Sequence, residues 1–162
     1  MPNNLGALWL LRHDWGIGGE PNTADRESFA KALMICASGN GRLTPEERAW
    51  IVGLAAAVGT PENAISSLHS YACSDRLEDV LASMGPHVPR LLIYDALRAC
   101  ASDGELTHQE ITGIKASAQK LGIGEQDVDK LHRIVQEENT LKRRKIEAVF
   151  PQGQPYTKRA AG

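Results

Sequence analysis

The sequence predicts an all-α, single-domain, pseudo-twofold helical bundle of about seven helices built from two duplicated helical units. Three observations carry this. Strand formers are scarce, with aromatics at 5% of the 162 residues, and a sandwich or barrel would need more of them alongside Val, Ile and Thr. Apolar residues recur at helical spacing between legible start and stop signals. Lastly, the chain repeats itself.

The elements follow in order. Leu5–Leu11 suits a helical turn, and Gly16-Ile17-Gly18-Gly19 a loop. Phe29, Ala30, Leu33, Met34 and Ala37 share one face of a helix over 24–37, stopped by Ser38-Gly39-Asn40-Gly41, where Gly and Asn accept positive φ. Thr44 as N-cap, Pro45 at the first position and Glu47 at the third form a capping box. The helix it opens carries Trp50, Ile51, Leu54, Ala55 and Val58 and closes at Gly59. Thr60-Pro61-Glu62 repeats the start signal for a short helix ending near Tyr71. Ser74-Asp75 should cap another, terminated by Gly85-Pro86. From His87 an apolar helix runs through Leu91, Leu92, Tyr94, Leu97 and Ala101 to Ser102-Asp103-Gly104. Thr107 and Glu110 then form a second capping box for a helix through Ile111, Ile114, Ala118 and Leu121, stopped by Gly122. A long helix starts at Glu125 and reaches toward Val149.

The two halves match. Ala32-Leu33 and Cys36-Ala37-Ser38 recur as Ala96-Leu97 and Cys100-Ala101-Ser102, 64 residues on. After a one-residue difference, Leu43, Thr44, Glu47, Ile51, Gly59, Glu62, Leu68 and His69 recur 63 residues on as Leu106, Thr107, Glu110, Ile114, Gly122, Glu125, Leu131 and His132. Two copies are too few for a solenoid, so the expected arrangement is two units packed face to face. The domain reading is an N-terminal Trp/Gly-rich segment (1–22) packing on the bundle, a duplicated domain (23–150, with repeats at about 28–71 and 92–135) and a basic flexible tail (151–162). Lys31 answers Asp95, Arg42 answers Glu105 and Trp50 answers Gly113. These mismatches predict that Lys31 and Asp95 lie near each other across the axis, within ion-pairing reach.

A net charge of −2 removes the simplest case for a nucleic-acid binder. No apolar run approaches the ~18 residues of a membrane span, and the first residues lack the pattern of a signal peptide. Three cysteines, Cys36, Cys73 and Cys100, without C-x-x-C spacing, fit reduced thiols in a cytoplasmic protein. Lys142-Arg143-Arg144-Lys145, with Lys158 and Arg159, suits a solvated helix face. Contact with RNA or an anionic membrane is the weaker reading of that run, since no aromatic platform interleaves with it.

An apolar helix ending in Ala101-Ser102-Asp103-Gly104-Glu105-Leu106, followed by Glu110 in the next helix's first turn, resembles the TerB-like tellurite-resistance domains and the related N-terminal helical domain of the co-chaperone DjlA. The resemblance spans about residues 28–135. It implies a pseudo-symmetric helical bundle, a stress-response or scaffold context, and divalent-metal binding by clustered acids. Asp103, Glu105 and Glu110 are the motif positions that carry the metal reading, with Glu47 the counterpart of Glu110. The first copy departs, having Gly39-Asn40-Gly41-Arg42 where the acidic loop would stand.

The same residues have a purely structural reading. Asp103-Gly104 ends a helix and Glu110 completes a capping box. An EF-hand loop fails because its first and third ligand positions are Ala99 and Ala101, which offer no side-chain oxygen. Cys36 and Cys100 read as small core hydrophobes. A Cys₂His₂ zinc site would require both to converge with His69 and His132 without the usual ligand spacing. Outside the repeats, Trp9, His13, Asp14, Trp15 and a glycine loop gather near the N-terminus. The tryptophans suit packing across the bundle.

The leading functional reading is a TerB-like helical binding or scaffold module with a weak divalent-metal site, engaging a protein partner or small-molecule ligand. The alternative is a small cofactor-independent enzyme, with His13, Asp14, Tyr94 and Asp95 as acid/base groups in a pocket between the repeats and the N-terminal segment.

Overall fold

The computed structural model of the chain describes residues 4–156. Among them are eight α-helices: α1 (Leu5–Trp15), α2 (Thr23–Ala37), α3 (Pro45–Ala57), α4 (Glu62–His69), α5 (Leu77–Val80), α6 (Val88–Cys100), α7 (His108–Lys120) and α8 (Glu125–Val149). A 3-10 turn, Ala101–Asp103, follows α6, and the described residues hold no strand. The all-α class expected from composition and punctuation is the observed one. Residues 157–162 of the expected tail, Lys158 and Arg159 among them, lie outside the described residues.

The bundle is built around α2 packed on α6, with α3, α7 and α8 against that pair. Leu33, Met34 and Cys36 from α2 meet a core that includes Leu92, Ile93 and Leu97 from α6, all fully buried. Ile51, Leu68, Ile114, Val128 and Val135 close it from the remaining helices. Each such aliphatic side chain contributes roughly 1.5–3 kcal/mol by leaving water.

One crossing is unusually close. The first half of α7 lies on the loop after α2, where a Cβ built on Gly113 would stand 2.5 Å from the carbonyl carbon of Gly39. No side chain fits there. Trp50, the residue that answers Gly113 in the repeat, does a different job: its ring lies 5.2 Å from the guanidinium of Arg98.

Several expectations need correction. Leu5–Leu11, expected as a helical turn, is part of a full 11-residue helix, which brings the α-helices among the described residues to eight. Asn4 caps it by accepting from the Ala7 N–H at 3.1 Å, and Gly16, at φ +65°, ends it in the left-handed region. Thr60 does not cap α4. Pro61 occupies that position, and the Thr60 hydroxyl is buried without a partner. The helix expected from Ser74-Asp75 shrinks to the four residues of α5, since Asp75 instead accepts from the Tyr71 hydroxyl at 2.7 Å.

Lys31 and Asp95 form no ion pair. Lys31 pairs with Glu27 at 2.9 Å along its own helix, and Asp95 pairs with Arg98 at 3.1 Å along its own. Neighbours one helical turn away were available to both, and they take the pairing that a partner on the facing helix would otherwise have made. The N-terminal segment is held by Arg26, buried at the start of α2. It donates to the Pro21 carbonyl at 3.0 Å, the Gly59 carbonyl at 2.8 Å and the Glu20 carboxylate at 2.7 Å.

A buried carboxyl pair and an amphipathic groove

The two capping boxes place two acids in the interior. In α3, the Thr44 hydroxyl accepts from the Glu47 N–H at 3.1 Å, and Glu47 Oε2 accepts from the Thr44 N–H at 2.8 Å. In α7, Thr107 and Glu110 exchange the same two bonds at 3.2 and 2.7 Å. Each box satisfies two N–H groups that a helix start would otherwise leave bare. Each also anchors one carboxylate oxygen and leaves the other free, that of Glu47 buried.

Glu47 is 0% exposed and its Oε1 has no hydrogen-bond partner; Glu110 is buried beside it. Burial pushes the Glu47 carboxyl up from the usual carboxylate range, against the lowering effect of the Thr44 N–H, and the negative charges of Glu110 and Asp103 push the same way. Two ionised carboxylates in contact cannot donate to each other, whereas one shared proton or one cation would bridge them. The Cys100 thiol adjoins the pair and is driven upward by burial first and by the Glu47 and Glu110 charges next. It is no thiolate nucleophile at neutral pH.

The structure divides the predicted metal trio. Glu110 joins Glu47 inside, Asp103 sits exposed at the end of the 3-10 turn but close enough to act on both Glu47 and Cys100, and Glu105 is exposed. Among the described residues no group of three or more His, Cys, Asp or Glu side chains stands together as a metal site. That also bears on the cysteine–histidine reading: Cys36 and Cys100 are buried while His69 is exposed. Glu47 was marked by sequence only as the counterpart of Glu110. The repeated T-x-x-E box was the signal that could have promoted it.

No protein-family model and no curated protein sequence matches the chain. A solved structure does: a tellurite resistance protein from Nostoc punctiforme PCC 73102 shares 31% of its residues with this chain and superposes with a TM-score of 0.89. The match covers 96% of this chain and 100% of that one. The chain belongs to the TerB-like tellurite-resistance family.

The TerB-like chain has a second feature, away from the carboxyl pair. A groove of about 820 Å³ runs between α1, α3, α6 and α8, with Asp14, Trp15, Trp50, Tyr94, Arg98 and Glu138 among its walls. Of the four predicted acid/base residues, it gathers two. Asp14 and Tyr94 line it, and the Tyr94 hydroxyl donates to Glu138 at 2.6–2.7 Å. His13 is instead stacked on Trp9, ring centroids 4.7 Å apart. Asp95, 4% exposed, lies behind Arg98. The expected packing of the tryptophans is met only by Trp15, which sets its edge against the Tyr94 ring; Trp9 is 63% exposed.

Proposed function

We propose that this TerB-like protein is a stress-response binding module, acting in the cytoplasm, whose Glu47–Glu110 carboxyl pair takes up a divalent cation between two pseudo-symmetric halves. The carrying observation is Glu47 Oε1, buried, without a hydrogen-bond partner, and facing a second carboxyl group. The resemblance of the halves in sequence and the paired capping boxes support reading α2–α4 and α6–α8 as equivalents, with the carboxyl pair between them. That the Nostoc relative is a tellurite resistance protein supports the stress context. No helix among the described residues is long and apolar enough to cross a membrane.

The donors fit a hard cation held weakly. Each carboxyl has one oxygen committed to a backbone N–H and one left over, and magnesium in particular accepts one or two carboxylates with water completing its shell. A bound cation would supply the counter-charge that a shared proton supplies without it. Asp103, exposed at the end of the 3-10 turn, adds negative potential toward the pair. Cation and proton compete, so binding strengthens as pH rises through the raised carboxyl range of Glu47.

Thermal unfolding of chelator-treated protein should test this, comparing millimolar Mg²⁺, Mn²⁺ and Ca²⁺ with NaCl at matched ionic strength. At a hundred times its dissociation constant, a cation stabilises by about 2.7 kcal/mol, a rise of roughly 5–10 °C for a domain of this size. Glu110→Gln should remove that rise while keeping the cap, because the amide oxygen still accepts from the Thr107 N–H. An unmoved midpoint with all three ions, or an equal rise in Glu110→Gln, rejects the site.

A further inference from the structure

We propose that the groove between α1, α6 and α8 binds an apolar organic carboxylate, its head group on Arg98 and Lys142 and its hydrocarbon body along Leu91, Leu131 and Ile134. Arg98 is held in place before any ligand arrives. Its guanidinium lies 5.2 Å from the Trp50 ring and 5.4 Å from the Tyr94 ring, and Nη1 donates to Asp95 at 3.1 Å. That is its one hydrogen bond among the described residues, so Nε and Nη2 remain open on the groove wall. A guanidinium fixed with spare donors is a carboxylate receptor.

The surroundings sort into a polar end and an apolar stretch. Arg90 meets Asp127, and Tyr94 meets Glu138. These contacts make α6 and α8 run in the same sense along the groove. Arg98 and Ser102 beyond α6's centre therefore stand with Asn139 and Lys142 of α8 at one end. Lys142 is exposed and makes no ion pair among the described residues. Next to that end Leu91, Leu131 and Ile134 line the walls with Trp15 and Ile17, and past them stand His87 and Arg90, the latter already paired with Asp127; Ile134 is an exposed large hydrophobe. Two acids share the polar end: Asp95 pairs with Arg98, and Glu138, whose charge reaches Asp95, accepts the Tyr94 hydroxyl. The head group therefore relies on Lys142 for the unbalanced positive charge, while Asp14 belongs to α1, on the Trp15 side. The volume of about 820 Å³ falls in the range of small-molecule sites. It far exceeds what a bare inorganic oxyanion fills.

The test is calorimetric titration of the full chain with decanoate, decanol and inorganic phosphate. Decanoate should bind, with decanol weaker by about tenfold or more, the weight of one charge-assisted hydrogen bond. Lys142→Glu, on an exposed helix face, should weaken decanoate by a similar factor and leave the unfolding midpoint near wild type. Arg98→Gln should weaken it further. Equal binding of decanol would reduce the groove to an unselective apolar cleft and overturn the proposal. So would phosphate binding as well as decanoate, decanoate ignoring both substitutions, or no decanoate binding at all. Glu110→Gln, which disables the proposed cation site, should bind decanoate like wild type, so the two readings fail separately.

Discussion

Replacing Gly113 by Ala is expected to destabilise the protein by about 3 kcal/mol or more, although Ala is the better helix former by about 1 kcal/mol. The reason is the neighbour. The new methyl would stand 2.5 Å from the Gly39 carbonyl carbon and 2.7 Å from the Asn40 nitrogen. These are backbone atoms, which cannot swing aside as a side-chain tip can, so α7 must lift from the end of α2. Lifting α7 also loosens Ile114, which is 1% exposed and one residue further on. Gly53→Ala supplies the opposite sign. Gly53 lies in α3 with nothing within 4 Å of a built Cβ, so the same substitution should stabilise by about 0.5–1 kcal/mol. Urea unfolding of the two variants beside wild type checks both. A Gly113→Ala midpoint at or above wild type would mean that the helices part at little cost.

Asp95→Asn should raise stability at pH 7 by about 1–3 kcal/mol and flatten its dependence on pH. Burial pushes the Asp95 carboxyl from 3.8 up to about 6, and Glu138 on α8 adds to this; Arg98 pulls downward, both by its charge and by its hydrogen bond. The folded value lies above the unfolded one, so the contribution of neutral Asp95 is fully present below about pH 4. It is lost as pH rises through about 6, because the folded protein must then keep a charge that the unfolded chain would hydrate. At 1.36 kcal/mol per unit the loss approaches about 3 kcal/mol. Glu47, raised by burial and by Glu110, adds a loss of the same sign that the Asn variant retains. Denaturant midpoints at pH 4, 5, 6 and 7 give the comparison. If the variant runs parallel to wild type, or is weaker at pH 7, then the Arg98 ion pair outweighs burial and the sign here is wrong.

What was legible in the chain was local. The capping boxes at Thr44–Glu47 and Thr107–Glu110 lie within three residues of sequence and depend on little else, so their prediction survives folding intact. The all-helical class follows from the same short-range chemistry. What required the fold was through-space. Nothing near Glu47 in sequence says that its free oxygen faces Glu110, and the three-residue metal motif pointed to Asp103 and Glu105, which fold onto the surface. The charge mismatch of Lys31 and Asp95 suggested a bond across the axis, yet Glu27 and Arg98 stood one helical turn away and took both partners. The groove draws on four helices, and only Asp14 and Tyr94 of its lining belonged to the predicted quartet. His13 could not be sorted from Asp14 by sequence, because adjacent helical residues point about 100° apart and the facing side was unknown.

The last helix divides the protein into two regimes of local opening. Val128 and Val135 are its buried residues, and from Gln136 to Val149 only Ile146 is even half-buried. At 1.5 Å per residue the stretch after Glu138, whose carboxylate is the last to reach the bundle through Tyr94, extends about 16 Å with little apolar area to hold it. Helix that is not anchored by packing frays at a free energy far below that of global unfolding. Amide deuteration should therefore proceed from the Val149 end within the native state, while the first three turns of α8 exchange with the core, and a protease should trim the basic Lys142–Lys145 run from an otherwise intact molecule.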